Sequence, residues 1–231
     1  MGIAEITPGI SGATIAGLFN VYKDFVNFLN VFNPFKIKPY LSYFYKEINF
    51  CFIIPLLLGM AISIYLSAFA IDYFRKSYLY ELKIFLSAVM FIAVIKNCGL
   101  DQSLNDSFKY ILDFILGLLI AIVIALSLVE LDFNNSFLLV LAGLLAFTAF
   151  LLPGISGSLV LIILGVYGNI TTAIKDIDLI YLMPFIIGMA ISFLIIPAQI
   201  IKRINDNEVK TKVFFSGLIL GSIPAVWLYL I

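Results

Sequence analysis

Apolar residues in this chain gather into long blocks instead of alternating with polar ones. The clearest blocks are 50–71, 110–129, 179–201 and 213–231, with short polar stretches between them. Each is comparable to the roughly 20 residues that cross a hydrocarbon layer as an α-helix. A shorter block, 84–95, is read as a return crossing. Two further arms, 137–152 and 159–167, are short for a full span and flank Pro153-Gly154. Proline lacks an amide donor and glycine escapes normal backbone limits, so this break predicts a helical hairpin that enters and leaves on one side. The pattern as a whole predicts an all-α integral membrane protein, a polytopic helical bundle forming a single membrane domain over 1–231.

The pattern also repeats. Pro8-Gly9-Ile10-Ser11-Gly12 recurs as Pro153-Gly154-Ile155-Ser156-Gly157, an offset of 153 − 8 = 145, and Tyr22 and Tyr167 follow at the same offset. Gly59-Met60-Ala61-Ile62-Ser63 recurs as Gly188-Met189-Ala190-Ile191-Ser192, an offset of 188 − 59 = 129, with Pro55 and Pro184 aligned. The first half therefore carries 145 − 129 = 16 extra residues, which fall in the aromatic and basic stretch 33–47. That stretch reads as an amphipathic segment at the membrane interface. Repeat one is assigned to 1–107, a linking transmembrane helix to 108–130 and repeat two to 136–231. Counting crossings puts the matching loops 73–83 and 202–212 on opposite faces, so the repeats are expected to be inverted, with two opposed re-entrant hairpins, a common build for secondary transporters.

Composition agrees with lipid as the solvent: 63% of residues are hydrophobic and 12% charged, with a mean hydropathy of +1.12. Formal net charge is zero, so no imbalance points to nucleic acid. Distributed over the predicted topology, however, ten basic residues fall on the face carrying Lys23, Lys96, Lys109, Lys202, Arg203, Lys210 and Lys212, against four on the face of Arg75, Lys76, Lys83 and Lys175. The positive-inside rule then makes the first face cytoplasmic and the C-terminus external. No cleaved signal peptide is expected, because the N-terminus has no basic region and its first apolar stretch is interrupted by Pro8, Gly9 and Gly12.

The chemistry available is narrow. Histidine is absent, which removes the usual general base and the commonest metal ligand; no metal, cofactor or enzyme activity is expected. Cys51 and Cys98 form no CxxC pair and read as packing residues. A broken helix, by contrast, exposes backbone N–H groups that suit phosphate or carboxylate. Gly9, Ser11, Gly12 and Thr14 in the first break, with Gly154, Ser156, Gly157 and Ser158 in the second, are the expected anion-binding residues. Glu5 precedes the first break, while its counterpart at offset 145 is Phe150. A carboxylate in a membrane segment is a functional candidate by default, here for proton coupling. Arg75 and Arg203, nearly equivalent in the two halves at 203 − 75 = 128, could admit a phosphate headgroup at each face. Asp113, four residues after Lys109, reads as a helix-surface ion pair.

These residues resemble a known pattern. Gly2-Ile3-Ala4-Glu5 leading into Pro8-Gly9-Ile10-Ser11-Gly12, and Leu152-Pro153-Gly154-Ile155-Ser156-Gly157-Ser158 leading into Leu164-Gly165-Val166-Tyr167, look like the polyprenyl-phosphate transporter family, PopT, formerly a domain of unknown function. The resemblance covers nearly the whole chain. It implies opposed re-entrant hairpins, as in the functionally similar DedA proteins, and a transporter that returns undecaprenyl phosphate across the bacterial plasma membrane for cell-wall synthesis. The chain departs from the family at Ala13 and Asn20, where glycine is usual. It also has seven residues before the first break, against about 16 apolar residues before the second, so a further apolar arm upstream is expected. A carrier of a small soluble anion is the alternative reading, and a homo-oligomer is compatible with either.

Overall fold

In the computed structural model, residues 1–7, 10–34, 48–100, 109–127 and 135–230 are described, and they form twelve α-helices and no strand. In chain order these are α1 (Gly2–Ile6), α2 (Gly12–Leu18), α3 (Tyr22–Asn30), α4 (Phe50–Ser77), α5 (Leu79–Ile95), α6 (Ile111–Leu126), α7 (Ser136–Leu151), α8 (Gly157–Ile163), α9 (Tyr167–Lys175), α10 (Leu179–Asp206), α11 (Glu208–Gly221) and α12 (Ile223–Tyr229). A π-helical turn, Lys96–Leu100, continues α5.

The sequence repeat is reproduced in the helix boundaries. At offset 145, α2 and α3 map onto α8 and α9 with the same ends. At offset 129, α4 maps onto α10, both 28 residues long, and the single non-helical residue that follows α4, Tyr78, maps onto Asn207. The expected loops 73–83 and 202–212 are thus almost entirely helical. Polar residues such as Arg75, Lys76, Lys202 and Arg203 do not stop a helix; they mark where it leaves an apolar layer. At 1.5 Å per residue, α4 and α10 are about 42 Å long, more than the roughly 30 Å hydrocarbon layer.

Among the described residues, three helical stretches are long and apolar enough to cross a membrane: Phe50–Ser67, Leu179–Asp206 and Glu208–Tyr229. Their outward faces are the apolar ones. Ile54, Leu57, Leu58 and Ile62 on α4 are exposed, as are Ile180, Met183, Ile186 and Ile187 on α10, as expected for surfaces solvated by lipid. The chain is a helical membrane protein.

Packing rests on glycines at crossings. A Cβ at Gly188 would lie 1.9 Å from the Val140 carbonyl oxygen, and one at Gly143 would lie 2.1 Å from that of Phe185, so α7 and α10 are pressed backbone to backbone. Gly117 against Phe214 and Gly217 against Phe114 do the same for α6 and α11. Close approach of this kind supplies dispersion where no hydrophobic drive exists between helices in lipid.

The second break is a tight hairpin. The polypeptide leaves α7, passes Pro153-Gly154 with Gly154 at φ +97°, and returns as α8; a Cβ at Gly157 would lie 2.7 Å from the Ala146 carbonyl oxygen, so the start of α8 lies against α7. Between α8 and α9 the axis bends by 114°. The first break has the same order of elements, although Pro8 and Gly9 lie outside the described residues.

Candidate functional site

The two breaks meet. The Gly154 N–H donates to Thr14 Oγ1 at 2.8 Å, and the Tyr22 hydroxyl donates to the Leu151 carbonyl oxygen at 2.8 Å. Thr14 is wholly buried and Tyr22 nearly so, with its ring edge-on to Phe215 at 5.6 Å. Each contact joins one half of the chain to the other across about 130 to 140 residues. Buried polar groups are costly when left without a partner, and the groups joined here each have one.

Within each break the polar groups are also engaged. The Gly12 N–H donates to Glu5 Oε1 at 2.6 Å, and the Ala13 N–H to Ser11 Oγ at 3.1 Å. In the second break Ser156 Oγ and Ser158 Oγ are 2.7 Å apart. Glu5 therefore occupies the backbone donor of Gly12 that the sequence suggested for an anion. Ser11 and Ser156 are buried and bond within their own breaks; the bridge between halves is made by Thr14 and Tyr22 instead. Gly9 lies outside the described residues.

A cavity of about 370 Å³ opens beside this junction. It is lined by Pro153 of the second break, by Asn20, Tyr22 and Lys23 of the first half, and by Asn97, Thr211 and Lys212 of the elements between and beyond. Asp24 and Glu208 also line it, and Lys212 Nζ is 2.8 Å from Glu208 Oε1. Two cations and two carboxylates line it, and at Lys212 an incoming anion must exchange for the Glu208 carboxylate. The sequence marked none of Lys23, Asn97 or Lys212 as binding residues, because they are remote in the chain and converge only through the packing of α3, the π-helical turn and α11. Tyr22, repeated as Tyr167, was the one available signal.

A second cavity, of about 540 Å³, lies on the other side of Thr211 and Phe215, between α6 and α10. Arg203 lines it, together with Lys210, Asn207, Leu116, Ile120 and Leu152. Arg75 does not mirror this position. At the offset shared by the helix ends, Arg75 corresponds to Ile204 and Arg203 to Phe74. One residue along a helix is a rotation of about 100°, so the two arginines lie on different faces. Asp113 also departs from expectation: it pairs with Lys210 at 3.5 Å, while Lys109 lies 5.5 Å from the centre of the Tyr110 ring. Lys109 precedes the start of α6, so the helical i,i+4 register does not apply to it.

Over residues 1–230 the chain matches the undecaprenyl phosphate translocase-like family. It belongs to that family. A polyprenyl-phosphate transporter of Vibrio cholerae is 31% identical over 98% of this chain and 74% of its own length. One of Staphylococcus aureus is 27% identical over 98% of this chain and 83% of its own length. No solved structure matches. The family and both relatives are named for translocation or transport, which bears out the reading as a transporter and not an enzyme.

In this translocase-like chain the position of Asn20 is informative. Asn20 has φ +59°, and its counterpart Gly165 has φ +77°. The left-handed turn that precedes α3 is kept although glycine is not, asparagine being among the residues that tolerate it best. Lys96, which also comes from the predicted cytoplasmic set, reaches the Leu18 carbonyl oxygen at the end of α2. Lys83, from the opposite set, donates to the Trp227 carbonyl oxygen at 3.1 Å near the C-terminus.

Proposed function

We propose that this protein translocates a polyprenyl phosphate across the bilayer, with its phosphate passing through the cavity beside the two joined breaks. The observation that carries the reading is the union of three features at one place. The breaks are bonded to each other through Thr14 and Gly154, Lys23 and Lys212 flank a cavity that reaches Pro153, and an amphipathic cleft adjoins it. A carrier must hold its cargo firmly enough to accept it and loosely enough to release it. A lysine already paired with a carboxylate, as Lys212 is with Glu208, suits that exchange.

In this reading the halves are inverted repeats, the Lys23 and Lys212 end is cytoplasmic, and the breaks rock apart to give access from the other face. The phosphate displaces the Glu5 carboxylate from the Gly12 N–H, and Ser11, Gly12, Thr14, Ser156, Gly157 and Ser158 supply further donors as the breaks separate. Protonation of Glu5 weakens its charge-assisted bond to Gly12, which couples proton uptake to release of the first break. The cargo is undecaprenyl phosphate, returned from the outer to the inner leaflet of a bacterial plasma membrane.

Purified protein in liposomes tests this. Undecaprenyl phosphate placed in one leaflet is expected to reach the other, with the rate reduced about tenfold or more in Glu5→Gln and in the Ser11→Ala, Ser156→Ala double variant. Inorganic phosphate is expected not to compete. Competition by inorganic phosphate, with no lipid translocated, would instead establish the soluble-anion reading.

A further inference from the structure

The cleft between α6 and α10 has a composition that differs from the cavity beside the breaks. Its walls divide by chemistry: Arg203 and Lys210 with the carboxylates Asp113 and Asp206 make the charged part, and Leu116, Ile120, Leu152 and Phe214 line much of the rest. Lys210 is held by Asp113, whereas the Arg203 guanidinium has no ion pair or hydrogen bond among the described residues. Leu116 and Ile120 lie on the exposed side of α6, next to Leu112 and Val123 on the same lipid-facing surface. The cleft exists because α6 packs on α11 and α10 packs on α7, which leaves the space between α6 and α10 unfilled.

Two further connections give the cleft a direction. Leu152 also lines a third cavity of about 290 Å³, whose walls are almost wholly apolar and include Ile124, Leu145, Ile155 and Ile163. Thr211 and Phe215 line both the cleft and the lysine-bearing cavity. Phe215 is buried, and its ring lies against Tyr22, which is itself bonded to Leu151 of the second break. A guanidinium with no ion pair among the described residues beside an apolar trough, continued by an apolar cavity on one side and separated by the Phe215 ring from the lysine-bearing cavity on the other, fits an amphiphile with an anionic head and a hydrocarbon tail.

We propose that the α6–α10 cleft is the lateral portal through which an isoprenoid phosphate passes between the bilayer and the central cavity. Arg203 receives the phosphate, the Leu116, Ile120 and Leu152 trough and the cavity beyond it hold the first isoprene units, and Phe215 is the partition that the head must pass. This deepens the transport reading and rests on it.

Farnesyl phosphate bearing a diazirine on its tail, photolysed with the full chain in lipid nanodiscs, is the test. Label is expected on Leu116, Ile120 or Ile124, reduced about tenfold in Arg203→Gln and restored in Arg203→Lys, since a charged donor is what the site requires. Unlabelled farnesyl phosphate should compete and inorganic phosphate should not. Phe215→Ala should keep the label and extend it to residues around Lys23 and Lys212. Label confined to other helices, such as the exposed face of α4, overturns the portal, and so does equal labelling of Arg203→Gln or equal competition by inorganic phosphate. Translocation of lipid phosphate by the same preparation separates the two ideas: transport with label elsewhere defeats the portal alone, whereas neither label nor transport defeats the transport reading as well.

Discussion

Gly59 and Gly188 begin the same pentapeptide, in helices of the same length, yet they have different surroundings. Gly188 is pressed against the Val140 backbone of α7, a sixteen-residue arm that lies along α10. Gly59 meets nothing within 4 Å among the described residues; the five-residue α1 meets α4 at Met60 and Ser63 instead. Ser192 shows the same contrast: it is 2.9 Å from the Thr148 hydroxyl of α7, whereas Ser63 donates to the Met60 carbonyl of its own helix. Identical local sequence builds identical helices; what each glycine is worth depends on the arm that covers it.

The comparison can be broken most sharply at these glycines. Gly188→Leu is expected to destabilise the protein by about 3 kcal/mol or more, because the added side chain must separate two backbones. Gly59→Leu should remain within about 0.5 kcal/mol, as at other uncovered positions. Thermal unfolding in detergent, followed by tryptophan fluorescence, measures both, and equal losses would mean that the two faces are covered alike. Next in size is Gly154→Ala, expected to cost about 2 to 3 kcal/mol, since its backbone is left-handed and its Cβ would lie 2.6 Å from the Ile219 amide nitrogen. Thr14→Val leaves the buried Gly154 N–H without an acceptor and should cost about 1 to 3 kcal/mol, with Thr14→Ser close to wild type; the same unfolding assay decides. Asn20→Gly is the smallest, a gain of up to about 1 kcal/mol from relieving a positive φ, and Gly165→Asn should lose a similar amount.

The two-half plan was legible because it rests on identical pentapeptides at fixed offsets, and local sequence sets where helices begin and break. Gly154 could be picked out for the same reason. Helix ends were less legible at 73–83 and 202–212, where charge marked the edge of the apolar layer without ending the helix. The residues that join the halves were only partly visible. Tyr22 was noticed for its place in the repeat and Thr14 as a donor beside the first break, but the choice of Thr14 over Ser11 depends on how α2 approaches the second break. Lys23 and Lys212 could not be paired from sequence, since 212 − 23 = 189 residues separate them and nothing local links one to the other. The amphipathic reading of 33–47 lies mostly outside the described residues.

The central claim is that the lysine-flanked cavity beside the joined breaks carries the phosphate. Its most direct test is the rate of undecaprenyl phosphate translocation in liposomes by the Lys23→Gln, Lys212→Gln double variant, set against Lys175→Gln on the other predicted face. The account predicts a loss of about tenfold or more for the double variant, with unfolding temperature kept, and a near wild-type rate for the control. A double variant that translocates at the wild-type rate would contradict it.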